Sequence, residues 1–238
     1  MGSKFNTIHH SRTIMFDEVE RIVETGKLDN DFIQAIDNNA IGKKSQTALR
    51  NAKAKLLGIY SFDMEDPSFR LFLKLWENSD ENEKRLLTLL LALKEDKLLE
   101  KSIDSILSVP IESGVEKKSL LKYLSKYVDY TENTLKSTSR NIISSWKQAG
   151  FIGEGKKRLR IQPTVTSQVV VYAIALGVLE NLEGEFLIKS PYIMALGLSN
   201  DKLDQLLNEA KIKDLIKYQN TGGVVSISLT DKLSANGQ

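Results

Sequence analysis

Residues 131–163, TENTLKSTSRNIISSWKQAGFIGEGKKRLRIQP, constrain this chain more than any other stretch, because they read as one bounded helix followed by a basic glycine turn. Leu135, Ile142, Ile143, Trp146 and Ala149 recur at helical spacing, so one stripe is apolar and must be buried. The other stripe carries Lys136, Ser137, Arg140, Asn141, Ser144 and Lys147, a basic face rich in hydrogen-bonding groups. Thr131 or Asn133 can cap the helix start through a side-chain oxygen, and Gly150 stands where a left-handed residue ends a helix. After Phe151 and Ile152, Gly153-Glu154-Gly155 predicts a tight turn, and Lys156, Lys157, Arg158, Leu159, Arg160 and Ile161 predict a strand, a β-wing in outline. Upstream, Leu120, Leu121, Leu124, Tyr127 and Val128 make residues 119–128 an amphipathic helix, joined to the next by Asp129-Tyr130. Helix, short turn, helix and basic wing is the order of a winged helix-turn-helix.

A formal net charge of +2 over 238 residues is too small to make the whole molecule a polycation, so any nucleic-acid affinity has to come from local clustering. From Lys136 to Arg160 the only acid is Glu154, against Lys136, Arg140, Lys147, Lys156, Lys157, Arg158 and Arg160. These residues, with Ser137, Asn141 and Ser144, are the expected contacts to double-stranded DNA: the helix toward the groove, the wing cations on the phosphates. Lys43, Lys44, Arg50 and Lys53, around a helix over residues 45–60, form a second basic face and a candidate secondary contact. The chain has no cysteine, which removes disulfides and thiolate chemistry and suits a reducing cytoplasm. Its two histidines, His9 and His10, adjoin near an end expected to be loose, so no histidine relay or metal site is expected. No carboxylate spacing suggests acid–base or metal chemistry. The expectation is a non-enzymatic protein with no cofactor and no metal. The most apolar run, Val169 to Leu179, falls short of the about 20 residues a bilayer needs and predicts a buried helix, with no membrane partner. The first residues carry neither a myristoylation pattern nor an apolar signal core.

In chain order, amphipathic helices are expected from Met15, Phe16, Val19, Ile22 and Val23, closed by Gly26, and from Phe32, Ile33 and Ile36, opened by Asp29. Asp66-Pro67 is a strong helix start, followed by the buried stripe Phe69, Phe72, Leu73 and Trp76. Leu86 to Leu93 leave almost no polar side, so that helix should run through the middle of an N-terminal bundle. Leu98, Leu99, Ile103, Ile106 and Leu107 predict a last bundle helix to Pro110. After Pro163 come a helix at Val169, a brief strand at Phe186-Leu187-Ile188, and a short helix after Pro191. Ser199 then caps a helix leading to a glycine-turn hairpin ending at Leu229. That capped helix presents Asp201, Asp204 and Glu209, acids that phosphate repels, so this unit reads as a protein-contact or structural copy rather than a second reader of DNA. The expected fold is mainly α with small β-wings: a helical bundle over 1–110, a winged helix-turn-helix over 111–164, and a second winged unit over 165–238.

From about Thr13 to Leu229, the order and spacing of these features resemble the BrxA family of bacteriophage exclusion (BREX) systems. The resemblance rests on Thr47-Ala48-Leu49-Arg50 with Leu56 and Leu57 behind it, on NIISSWKQAGFI from Asn141 to Ile152, and on the closing GGVVSISL hairpin. It implies a cytoplasmic, non-enzymatic, DNA-binding accessory protein of phage defence whose bundle is similar in kind to that of the antitermination factor NusB. Other proteins of such a system are the implied partners. An adaptor that docks proteins, and a NusB-like RNA-binding regulator working through the basic helix at Lys43 to Lys55, are the alternatives. RNA and the oligomeric state stay open at this level.

Overall fold

The computed structural model describes residues 7–221 and 224–233. The protein is mainly helical, 55% by residue, with one small two-stranded antiparallel sheet among the described residues, which fixes the fold class as mainly α with a small β element.

The first helices follow the apolar spacing. They are α1 (Phe16–Gly26), α2 (Phe32–Asp37), α3 (Gln46–Leu57), α4 (Pro67–Trp76) and α5 (Glu81–Glu95). Side-chain caps from Asp31, Ser45, Asp66 and Asp80 set the starts of α2 to α5, and Asp80 forms a reciprocal capping box with Glu83. Leu86, Leu87 and Leu89 to Leu93 are all buried, because α5 is surrounded by α1, α4 and the later helices. The single helix expected over residues 98–107 is instead two short ones, α6 (Lys97–Lys101) and α7 (Ile103–Leu107). The break falls at Ser102, whose buried hydroxyl donates to the Leu99 carbonyl at 2.6 Å and so competes with the regular backbone ladder.

Next come α8 (Lys117–Leu124) and α9 (Glu132–Gln148), which pack on each other. Thr131 caps α9 through the Thr134 amide, and Gly150 takes φ +85° just past its end, the backbone a side chain disfavours. α10 (Ser167–Leu179) is buried nearly throughout, because α4 and α5 cover one side and the C-terminal helices the other. It ties the two ends of the chain into one continuous core.

Phe186-Leu187-Ile188, expected as a strand, lies in a single helical turn, α11 (Glu185–Ile188); an apolar run this short has no periodicity to decide between the two. α12 (Pro191–Met194) and α13 (Asn200–Ile212) lead into β1 (Ile216–Thr221) and β2 (Val224–Leu229), paired from Ile216 opposite Leu229 to Thr221 opposite Val224. The Gly222-Gly223 turn joining them lies outside the described residues, as do residues 1–6. No helix among the described residues is long and apolar enough to cross a membrane.

Candidate nucleic-acid interface

Three stripes of α9 have three different fates. The apolar stripe faces the core: Trp146 is fully buried, its indole N–H donates to Ser102 Oγ at 2.8 Å, and its ring meets Phe151 edge-on at 5.0 Å. A second stripe, Asn141, Ser145 and Gln148, seats the N-terminal segment. Asn141 Nδ2 donates to the His9 carbonyl at 2.8 Å, the Ile14 amide donates to Ser145 Oγ at 3.0 Å, and the Phe16 amide donates to Gln148 Oε1 at 3.1 Å. The expected placement of Asn141 on the open DNA face is therefore corrected: it is half-buried, and its Nδ2 is taken by the His9 carbonyl. The third stripe, Lys136, Arg140, Ser144 and Lys147, is the one left facing outward.

Within that stripe the charges differ. Lys136 pairs with Glu132 one turn earlier at 2.5 Å, and Lys147 pairs with Glu154 of the turn at 2.6 Å; such exposed pairs hold each other weakly. Ser137 donates to the Asn133 and Thr134 carbonyls of its own helix. Arg140 is exposed with no carboxylate partner among the described residues, and the hydroxyl of half-buried Ser144 has no hydrogen-bond partner among them.

The segment expected as a wing is built differently from a plain hairpin. Residues 158–161 run between two short segments: Arg160 N donates to Ser113 O and Glu112 N to Arg160 O on one side. On the other side Gly153 N donates to Leu159 O and Ile161 N to Phe151 O. The pairing amounts to isolated bridges, Gly114 with Leu159 and Ile152 with Arg160, rather than an extended strand. Lys156, Lys157 and Arg158 stand exposed at its tip without a carboxylate partner among the described residues.

Arg160 is the second correction. Expected to grip phosphate, it is only 3% exposed: its guanidinium lies 5.0 Å over the Phe151 ring and donates to the Ile161 carbonyl and to Gln162 Oε1. Its Nε has no partner among the described residues, and burial lowers its pKa from the ordinary value. Gln162 in turn donates to the Leu196 carbonyl at 2.9 Å. Gly197 (φ +62°) leaves room for this knot, since a Cβ there would come within 3.0 Å of Gln162 Oε1 and 3.2 Å of Arg160 Nη2. Arg160 and Gln162 together therefore tie this segment to Leu196, between α12 and α13.

The secondary basic face is half neutralised. Lys43 pairs with Glu18 at 2.8 Å and Lys53 with Asp37 at 2.5 Å, while Lys44 and Arg50 are exposed and unpaired among the described residues.

His9, expected in a loose end, is fully buried. Asp96, the cap of α6, accepts through Oδ2 from Thr7 Oγ1 at 2.8 Å and the Ile8 amide at 2.9 Å, and through Oδ1 from the Leu99 amide at 2.9 Å. His9 Nδ1 lies 2.7 Å from that same Oδ2, and His9 Nε2 lies 2.8 Å from Ser145 Oγ. Burial pushes the Asp96 carboxyl up, but His9 and the Leu99 and Ile8 amides outweigh it and hold its pKa below the ordinary 3.8. Asp–His–Ser is the order of a hydrolytic triad. Here, however, the serine hydroxyl donates to the Asn141 carbonyl at 3.0 Å and accepts from Ile14, and Ser145 has no exposed surface. A nucleophile must be reachable and must give its proton to the base; this trio does neither, and it acts as a clamp between the N-terminal segment, α6 and α9.

Sequence reading missed Lys117, the first residue of α8. It lines one cleft with Arg140, Lys147 and Arg158. The only signal was the Lys117-Lys118 pair ahead of the apolar spacing of α8. No protein-family model matches this chain, and no curated protein or solved structure does.

Proposed function

We propose that this protein is a cytoplasmic, non-enzymatic DNA-binding component of a BREX-type bacteriophage defence system. In this reading α8 and α9 are a helix-turn-helix with residues 151–161 as its wing, following an N-terminal bundle over 1–110. α12, α13 and the β1–β2 hairpin are a second winged unit. The resemblance to BrxA proteins supplies the biological setting and its other proteins as partners.

The observation that supports DNA binding most strongly is the set of unneutralised cations on one side of the molecule. Lys117, Arg140, Lys156, Lys157 and Arg158 come from α8, α9 and the wing, and none has a carboxylate partner among the described residues. Ser and Lys outnumber base-reading side chains on that side, and Asn141 is occupied, so the grip is mainly on phosphate with little sequence preference. The adaptor role belongs to the other end. On α13, Asp201 and Asp204 are exposed and Glu209 is half-buried, and Asp204 accepts from Tyr218 of β1 at 2.6 Å, an acidic face suited to a protein partner.

The test is a mobility shift with duplex DNA, single-stranded DNA and RNA across a salt series. Five phosphate contacts at roughly 0.9 each give a log–log slope of about −4.5, so duplex affinity should fall about 500-fold between about 50 and 200 mM salt. A flat salt dependence would sink the proposal, and a clear preference for RNA would transfer it to Lys44 and Arg50 on the bundle.

A further inference from the structure

The cleft between α8, α9 and the wing is a distinct feature within the basic face. It encloses about 250 Å³ and is lined by Lys117, Arg140, Lys147 and Arg158, with Ile143 and Ile152 as apolar wall and Ser144, Gly153 and Gly155 beside them. The cations come from three separate elements, so they surround the space instead of lying along one ridge. No carboxylate lines it among the described residues, and Glu154, 90% exposed, pairs with the lining Lys147. Ser144 brings a hydroxyl with no partner among the described residues.

We infer that this cleft is a phosphate pocket that takes the terminal phosphomonoester of a nucleic-acid strand. A volume of about 250 Å³ lies below the roughly 300–1,000 Å³ of clefts for drug-sized ligands, and suits a phosphate with its sugar. A phosphomonoester approaches two negative charges at neutral pH, its second pKa being about 6, whereas an internal phosphodiester carries one. Four converging cations favour the dianion. An internal phosphate also has chain on both sides and meets a protein along a groove, while a strand end can enter a pocket head-on. Ile143 and Ile152 then give the sugar an apolar wall. Glu154 competes with the phosphate for Lys147. The inference rests on the nucleic-acid reading for its source of phosphate, and on the cleft alone for its chemistry.

The experiment is calorimetric titration of the full chain with a 5′-phosphorylated dinucleotide, its 5′-hydroxyl counterpart and inorganic phosphate. The phosphorylated dinucleotide should bind about tenfold or more tightly than the hydroxyl form, and Arg140→Ala or Lys117→Ala should each weaken it about tenfold. Lys118→Ala removes the same charge from a residue outside the cleft and should change it by less than about twofold, while Glu154→Gln should strengthen it severalfold. All four positions are at the surface, and melting curves confirm that each variant is folded. Equal binding of the two dinucleotides, or equal losses from Lys118→Ala and Arg140→Ala, overturns the pocket. If the two dinucleotides bind equally yet duplex binding with its salt slope persists, the pocket fails and the duplex reading stands. If 5′-phosphate binding persists without duplex binding, the duplex reading fails and the pocket stands.

Discussion

His9→Ala is expected to cost about 3–5 kcal/mol of stability, because it removes one partner of a buried pair, leaving Asp96 with only its Thr7, Ile8 and Leu99 donors and Ser145 without the imidazole. For a chain of this size that corresponds to a fall in melting temperature of about 10 °C, at roughly 2–4 °C per kcal/mol. Asp96→Ala should be at least as costly, since the Ile8 and Leu99 amides, the Thr7 hydroxyl and the imidazole lose an acceptor together. His10→Ala, one position away and exposed, should stay within about 0.5 kcal/mol of the parent. The same clamp predicts an acid limb. The folded Asp96 pKa lies below its ordinary 3.8, so its contribution is complete above that value and is lost as pH falls through the lower folded pKa. Asp96→Asn should therefore flatten the stability profile below about pH 4. Urea melts at several pH values check both expectations, and a His9→Ala protein that melts like His10→Ala would show that the trio holds nothing together.

That clamp also marks the boundary of what the sequence can disclose. Elements whose signal is local came through: the Asp66-Pro67 start of α4, the leucine run of α5, the Thr131 cap and Gly150 stop of α9, the apolar α10, and the closing hairpin. His9 did not, because its partners lie 87 and 136 positions away and nothing in its neighbourhood refers to them. Arg140 and Asn141 differ by one step of helical rotation, and periodicity places both on a polar side. Only the path of the N-terminal segment over α9 separates the exposed cation from the occupied amide. In the candidate site, the exposed cations were legible as a run, but Lys117 was not, since its approach to Arg140 and Arg158 is tertiary. The wing misled for a definite reason. Alternation puts Arg158 and Arg160 on one face, but Arg158 takes φ +47°, which breaks the pleat, so Arg160 turns inward and Ile161 outward.

The consequence is a division of labour among cations that look alike in sequence. Lys156, Lys157 and Arg158 are exposed at the wing tip, so Lys156→Ala, Lys157→Ala and Arg158→Ala combined should leave the fold intact and reduce duplex affinity for all sequences alike. Three lost phosphate contacts at roughly 0.9 each should move the salt slope from about −4.5 to about −1.8, and lower affinity about 10³-fold at about 50 mM salt. Arg160 should behave in the opposite way. Its guanidinium is occupied by Phe151, the Ile161 carbonyl and Gln162, so Arg160→Met should leave the slope unchanged and register instead in stability, by about 0.5–3 kcal/mol. Mobility shifts at several salt concentrations, paired with melting curves, separate the two outcomes. A folded triple variant that binds duplex DNA as tightly as the parent would mean that the wing does not grip phosphate. The acidic face of α13, with Asp201 and Asp204 exposed, would then become the functional surface, and the protein an adaptor.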